Sequence, residues 1–97
     1  MNIMAARYKR RFPQISELKI TNSKRAGKRF CAKFTLNGVR RTVHFGLDGA
    51  YTYYDGASPE KRNSYLARAS KIKNASGKYT YLIPGTANSF AYWLLWN

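Results

Sequence analysis

Two side chains are candidates for nucleophilic chemistry, the one cysteine, Cys31, and the one histidine, His44. A Cys–His pair becomes a nucleophile when a third group orients the histidine and nearby donors stabilise an oxyanion. The sequence shows no pattern for either requirement. One cysteine and one histidine also fall short of the ligand set of a closed zinc site. We therefore expect no catalytic residue, no metal site and no cofactor.

The acidic residues and the glycines give no stronger signal for catalysis. Asp48, Asp55 and Glu60 are too scattered to form a carboxylate pair with separate acid and base roles. The two Asp-Gly steps indicate turns, because they lack the dense ligand spacing of a calcium loop. No glycine-rich phosphate loop follows a predicted strand and precedes a predicted helix. The sequence favours a protein that is not an enzyme and has no small-molecule substrate.

The strongest structural signal lies in the stretch that holds both candidate side chains, from Phe30 to Gly46. Its Asn37-Gly38 step separates two alternating runs and predicts a two-residue type I′ hairpin turn, because both residues accept positive φ. One face of the hairpin is then apolar and the other is basic. The predicted pairs are Leu36–Val39, Phe34–Arg41, Ala32–Val43 and Phe30–Phe45 on the apolar face, and Thr35–Arg40, Lys33–Thr42 and Cys31–His44 on the basic face.

An isolated hairpin is marginal in water, so its apolar face requires a third strand and a cover. Alternation before the hairpin predicts the strand, and two segments with helical periodicity predict the cover. The predicted fold class is α+β, a three-stranded antiparallel meander at about 15–22, 29–36 and 39–46, covered by two helices at about 59–73 and 87–96. We expect Phe30, Phe34, Val39, Val43 and Phe45 to form the platform for the C-terminal helix.

The first predicted helix has a clear start. Ser58 is a favourable N-cap, Pro59 suits the first helical position, and Glu60 complements the helix dipole. Apolar residues then recur at helical spacing and indicate one buried stripe. The residues expected in that stripe are Tyr65, Leu66, Ala69 and Ile72.

Length and charge indicate one basic domain. Residues 14–97 are expected to form the folded body, and residues 1–13 a basic arm that is extended or ordered by a partner. The chain has 18 Lys and Arg against 4 Asp and Glu, a formal charge of +14, which favours polyanions or acidic protein surfaces as partners. The residues expected to make polyanion or partner contacts are Arg7, Lys9, Arg10, Arg11, Lys24, Arg25, Lys28, Arg29, Lys33 and Arg40.

The C-terminal segment from Tyr79 to Asn97 carries no charge. Pro84, Gly85 and nearby polar residues interrupt it, which favours a loop and a short buried helix over a transmembrane segment. Any side of that helix not used by the core would form an exposed aromatic interface. The aromatic residues expected in the core or at a protein interface are Tyr51, Tyr53, Tyr54, Phe90, Tyr92, Trp93 and Trp96.

Three sequence blocks connect the chain with one viral family. They are T-V-H-F-G at residues 42–46, S-P-E-K-R-N-S-Y-L-A-R at residues 58–68 and F-A-Y-W-L-L-W-N at residues 90–97. In these blocks the chain resembles a family of small basic proteins encoded by nucleocytoplasmic large double-stranded DNA viruses. The resemblance implies a viral protein carried in the particle and transfers no catalytic residue.

Two functions are expected from these observations. The first is a non-enzymatic structural virion component, a minor capsid protein that bridges or cements larger capsid proteins beneath or between capsomers. The lack of a signal peptide and of a second cysteine favours synthesis in the host cytoplasm or nucleus. The alternative is a sequence-independent DNA- or RNA-binding protein of a large DNA virus. The expected partners are major and minor capsid proteins, with viral DNA as the alternative.

Overall fold

One antiparallel sheet organises the fold. The computed structural model describes residues 2–97, and within this range three strands follow chain order, β1 (Ile15–Asn22), β2 (Lys28–Leu36) and β3 (Val39–Leu47). The predicted α+β class and the three-stranded meander are confirmed. The helical elements are α1 (Asn2–Arg11), α2 (Pro59–Ala69), α3 (Ala87–Ala91), a π-helical turn (Tyr92–Trp96) that continues α3, and short 3-10 turns at Tyr53–Asp55 and Thr80–Leu82.

The central hairpin has the predicted turn and register. Asn37 and Gly38 have φ values of 53° and 76°, as a type I′ turn requires. Every predicted pair is present, from Leu36 opposite Val39 at the turn to Phe30 opposite Phe45 at the far end. Alternate side chains of β2 and β3 therefore face opposite sides of the sheet.

Strand β1 contains a bulge that simple alternation does not predict. Its register with β2 shifts between Ser16 and Lys19, and Glu17 has a φ of 50°. Because side chains alternate along a regular strand, the bulge is what allows Ile15 and Ile20 both to face the core, with 1% and 4% of their surfaces exposed.

The N-terminal segment is helical, so the expected extended or partner-ordered arm is wrong. Met4, Tyr8 and Phe12 recur every fourth residue, and α1 together with the residue after it buries all three in the core. The ring of Tyr8 is fully buried and stacks on Phe90 with 4.0 Å between ring centroids. Met1, the first residue of the predicted arm, lies outside the described residues.

Helix α2 starts as predicted and ends early. Ser58 Oγ accepts a hydrogen bond from the Lys61 amide at 3.2 Å and caps the helix. The helix ends at Ala69 and not at residue 73, because the chain reverses and the Thr80 amide donates to the Ile72 carbonyl at 3.0 Å. Ile72 is 50% exposed, so its predicted place in the buried stripe is wrong.

The C-terminal helix covers the apolar side of the sheet. Phe90 of α3 packs on Phe34 and Phe45, with ring centroids 5.6 and 5.1 Å apart. Val39 is 59% exposed, so its place in the predicted platform is wrong, and the cover stops short of the turn end of β3. No helix within residues 2–97 is long and apolar enough to cross a bilayer.

Candidate anion-binding face

The second side of the sheet carries Lys19, Lys33 and Arg40, which are all exposed, and Cys31 is the one buried residue in its cross-strand pairs within the described residues 2–97. We call this side the open face. The register arranges its residues in three cross-strand rows, because residues that pair directly share one face of a sheet. The rows are Ser16–Thr35–Arg40, Lys19–Lys33–Thr42 and Thr21–Cys31–His44.

Two lysines lie side by side in the middle row. Lys19 of β1 and Lys33 of β2 are direct partners, and both side chains are exposed. Like charges directly opposite each other destabilise a sheet. In the described part of the chain, neither lysine forms an ion pair with a carboxylate. The repulsion between them is therefore not offset within the molecule.

A groove of about 740 Å³ opens on this face at the end nearest the β1–β2 turn. Cys31 forms its floor and is 6% exposed. No carboxylate lines the groove, and both of its charged residues are lysines. The lining residues are Thr21, Asn22, Lys24, Cys31, Lys33, Thr42 and His44.

His44 is held in one orientation by the turn. Its Nδ1 lies 2.7 Å from Ser23 Oγ, which also accepts the Arg25 amide at 3.0 Å. A hydroxyl has one proton and two lone pairs, so Ser23 Oγ can accept from that amide and donate to Nδ1 at the same time. In that tautomer a neutral His44 carries its proton on Nε2, and Nε2 is a hydrogen-bond donor.

Cys31 and His44, the two nucleophile candidates, are direct cross-strand partners. A catalytic pair also requires a third group that orients the histidine. His44 bonds to Ser23, and none of the hydrogen bonds among residues 2–97 joins His44 to a carboxylate. The same range contains no group of three His, Cys, Asp or Glu residues that could hold a metal ion. The absence of enzymatic activity stays a prediction.

Arg29 forms an ion pair with a carboxylate. Its guanidinium donates to both oxygens of Asp55, at 2.6 and 2.5 Å. Thr52 adds hydrogen bonds from its amide and hydroxyl at 2.9 and 2.7 Å. The bonds from Arg29, with smaller contributions from Thr52, hold the pKa of Asp55 far below its usual range. Arg29 therefore has its charge balanced inside the protein.

Two of the four cations predicted for the N-terminal arm contact the C-terminal helix. Arg7 donates to the carbonyls of Trp93 and Asn97 at 3.3 and 3.4 Å, where the helix leaves carbonyls without partners. The Arg11 guanidinium lies 4.4 Å from the centre of a Trp93 ring. Lys9 and Arg10 are exposed on the same helix.

Most of the remaining predicted contact residues lie near the open face. Lys33 and Arg40 belong to it, and Lys24 lines its groove. Arg25 is exposed at the turn that precedes β2, whereas Lys28, the first residue of β2, pairs with Leu47 in the register of the covered face. The structure thus gathers four predicted cations around one face, and adds Lys19, which the sequence analysis did not select. Lys19 lies in a strand that the alternation of residues predicts, but the bulge in β1 changes which face its side chain occupies.

The predicted aromatic residues separate into two groups. Phe90 and Trp96 are buried, and Tyr92 and Trp93 are half-buried, with Trp93 Nε1 donating to the Tyr81 carbonyl at 2.8 Å. The exposed group follows β3, and each of its rings has a cation within reach of its face. The pairs are Tyr51 with Lys61 at 5.9 Å, Tyr53 with Arg62 at 5.1 Å and Tyr54 with Arg29 at 5.7 Å.

Comparison with known proteins identifies the family. The model of a family of unknown function (DUF5754) matches residues 18–69, from within β1 to the end of α2. The chain belongs to this family. The DUF5754 match therefore includes the groove and the open face except Ser16. Uncharacterized protein L851 of Acanthamoeba polyphaga mimivirus is 44% identical over 90 residues, which cover 92% of this chain and 89% of that relative.

The mimivirus relative supports one part of the resemblance, namely the similarity of this chain to proteins of large DNA viruses. No solved structure matches the chain. Any function must therefore be argued from the geometry of the protein itself.

Proposed function

We propose that the protein binds nucleic acid without sequence specificity through the open face of its sheet. The observation that carries this proposal is the uncompensated Lys19–Lys33 pair in the centre of that face. A bound phosphate would offset their mutual repulsion. Each phosphate neutralised also releases counterions from the nucleic acid, which supplies most of the binding free energy in non-specific complexes.

The distribution of charge supports a long polyanion over a small one. The cations extend from the centre of the face to Arg40 on β3 and to Lys24 and Arg25 at the turn, so successive phosphates of a strand have separate partners. Ion pairs among residues 2–97 involve Arg29 and Arg40, and the Arg40 Nη1 to Glu17 Oε2 distance of 3.9 Å joins two exposed groups. Such a pair is weak and yields readily to phosphate.

Sequence independence is expected because the face is a sheet with flexible lysines. Base readout in the major groove requires a helix or ribbon that inserts side chains with bidentate geometry. Lysine side chains on an open sheet instead contact phosphate as mobile point charges.

The test is the salt dependence of binding to a short duplex and a short single strand. We expect the logarithm of the association constant to fall linearly with the logarithm of salt concentration between about 50 and 200 mM. The Lys19→Gln/Lys33→Gln double variant should lower the magnitude of that slope by about two on a duplex. Binding with no salt dependence would refute the proposal.

A matched control removes the same charge elsewhere. Lys71 and Lys78 are exposed in the segment after α2, which is tied to α3 through the hydrogen bond from Asn88 Nδ2 to Thr80 Oγ1 at 2.9 Å. The Lys71→Gln/Lys78→Gln variant should retain most of the slope. An equal loss in both double variants would mean that overall charge, and not the open face, drives the binding.

A structural role in the virus particle is the second candidate. The observation that favours it is the run of exposed apolar and aromatic side chains after β3, because tyrosine is enriched in protein interfaces. Those residues are Leu47, Tyr51, Tyr53 and Tyr54. A minor capsid protein placed beneath or between capsomers would use this run against major or minor capsid proteins.

Mass spectrometry of purified particles of the encoding virus tests the structural role. We expect the chain in the particle and crosslinks from the segment 47–54 to a capsid protein. Absence of the chain from the particle would exclude this role and would leave nucleic-acid binding in the infected cell unaffected.

A further inference from the structure

We infer that the groove on the open face is a subsite for one phosphodiester group of a nucleic-acid backbone, bound between Lys24, Lys33 and the Nε2 of His44. This inference rests on the proposed function and specifies where on the face the phosphate is held. It also assigns a role to His44, which has no catalytic partner among the described residues and does not belong to the core.

The groove is lined by five side-chain donors without a hydrogen-bond partner in the described part of the chain. Among the hydrogen bonds of residues 2–97, none uses the side chains of Thr21, Asn22 or Thr42, and none uses the ammonium groups of Lys24 or Lys33. Two hydroxyls, an amide and two ammonium groups therefore converge on one concavity. A phosphodiester oxygen accepts hydrogen bonds from each of these donor types.

His44 completes the set because its orientation is fixed before a ligand arrives. Ser23 holds Nδ1 at 2.7 Å and is itself held by the Arg25 amide at 3.0 Å. With Ser23 as the donor to Nδ1, the remaining ring nitrogen, Nε2, carries the proton and is the donor available to an anion. A donor fixed in advance loses little conformational entropy on binding.

The charge of the groove selects an anion. Lys24 lies on one element, the turn, and Lys33 on another, the central strand, and both line the concavity. No carboxylate lines the groove to compete for them. Lys19, beside Lys33, lies outside the lining and is placed to contact the next phosphate along the strand.

The experiment follows the side-chain NMR signals of His44 during titration with short oligothymidylate. Since His44 is the one histidine of the chain, its ring signals cannot be confused with those of another histidine. We expect the His44 signals to shift and to saturate with the same dissociation constant as overall binding. Inorganic phosphate alone, added in a separate titration, should shift the same signals in the same direction at higher concentration.

Variants locate the effect in the groove. Lys24→Gln and Lys33→Gln should abolish the phosphate-induced shift of His44 and lower the salt slope by about one each. Lys24 is exposed in a turn, so its replacement leaves the fold intact and keeps the test valid if Lys33→Gln is poorly folded. Lys19→Gln should weaken oligonucleotide binding and leave the phosphate-induced shift of His44 unchanged.

Three outcomes would overturn the inference, and they differ from each other. Salt-dependent oligonucleotide binding with unchanged His44 signals would refute the groove subsite and leave the proposed function standing. A phosphate-induced shift without oligonucleotide binding would refute both, since the groove would then hold a free anion only. A His44 shift retained in the Lys24→Gln and Lys33→Gln variants would show that the ring responds to a phosphate bound elsewhere.

Discussion

The two faces of one sheet have opposite roles in this protein. Strand β2 contributes Phe30, Ala32, Phe34 and Leu36 to the covered face, where all four are buried, and Cys31, Lys33 and Thr35 to the open face. The period of two residues along a strand separates these sets completely. A single strand therefore supplies both the core that stabilises the fold and the surface proposed to bind phosphate.

The faces differ most in how their polar groups are satisfied. On the covered side, Tyr8 Oη accepts the Gly85 amide at 3.0 Å and bonds to Ser89 Oγ at 2.5 Å, so the buried hydroxyl has partners. On the open side, Lys19 and Lys33 repel each other without a carboxylate between them. Stability and binding can therefore be changed independently. Substitutions on the two faces should affect the free energy of unfolding differently.

The largest effect is expected from Phe90→Ala on the covered face. Phe90 is fully buried among Tyr8, Phe34 and Phe45, and its loss leaves a cavity that should cost about 3 to 5 kcal/mol. Denaturant unfolding followed by circular dichroism measures this change. The control is Val39→Ala, at the exposed end of the same face, which should change stability by less than about 0.5 kcal/mol. Equal costs at both positions would contradict the packing described here.

A smaller loss is expected from Asp55→Asn, at the junction between the sheet and the loop after it. The change weakens two charge-assisted hydrogen bonds from Arg29 and should cost about 2 to 3 kcal/mol. The pKa of Asp55 is lower in the folded state than its ordinary value of 3.8, so its contribution is complete above that pH and is lost as pH falls below it.

Denaturant unfolding across a pH series checks this prediction. The gap in stability between the natural protein and Asp55→Asn should narrow as pH decreases below the ordinary pKa of aspartate. The exposed Asp48→Asn is the control and should show no comparable gap at neutral pH. A constant gap down to strongly acidic pH would rule out the Arg29–Asp55 pair as its source.

Tyr8→Phe isolates the hydroxyl on the covered face. The substitution keeps the stacked ring and leaves the Gly85 amide without its acceptor, which should cost about 1 to 2 kcal/mol, while the Ser89 hydroxyl still donates to the Thr86 carbonyl at 2.8 Å. Thermal and denaturant unfolding both report it. An unchanged stability would mean that water replaces the hydroxyl and that the covered face is less dry than described.

The smallest effect, with opposite sign, is expected from Lys19→Gln on the open face. Removing one of two like charges in a cross-strand pair should raise the free energy of unfolding by about 0.2 to 1 kcal/mol at low salt. The gain should fade as salt increases, because screening weakens the repulsion. The control, Lys71→Gln, has no charged cross-strand partner. A loss of stability in Lys19→Gln would remove the argument that the open face is strained by its own charge.

The features that the sequence predicts well are those that depend on neighbouring residues. Asn37-Gly38 determines the hairpin turn and with it every pair between β2 and β3, and Ser58 determines where α2 begins. These depend on backbone preferences within a few residues. The groove between Lys33 and His44 follows from the same register, and for that reason part of the candidate site could be anticipated.

Most of the features that were missed depend on distant contacts. The spacing of Met4, Tyr8 and Phe12 is a local helical signal, but the burial of Tyr8 against a ring at position 90 is not. The early end of α2 accompanies a bridge between Lys73 and Tyr79, six positions apart. The role of Ser23 requires a hydrogen bond across 21 positions, and the pairing of Arg29 with Asp55 spans 26. No local pattern encodes such contacts.

The contact between Tyr8 and Ser89 also constrains how the protein is made. These residues are 81 positions apart, so α1 is synthesised long before the surface that buries it exists. The hairpin can form early on the ribosome, but α1 must wait until the C-terminal helix has emerged, and until then it is a basic segment with an uncovered apolar stripe. Folding of the whole domain is therefore expected to complete only after the C-terminal helix has left the ribosome, and slow synthesis would prolong the period in which α1 is open to chaperones or to aggregation.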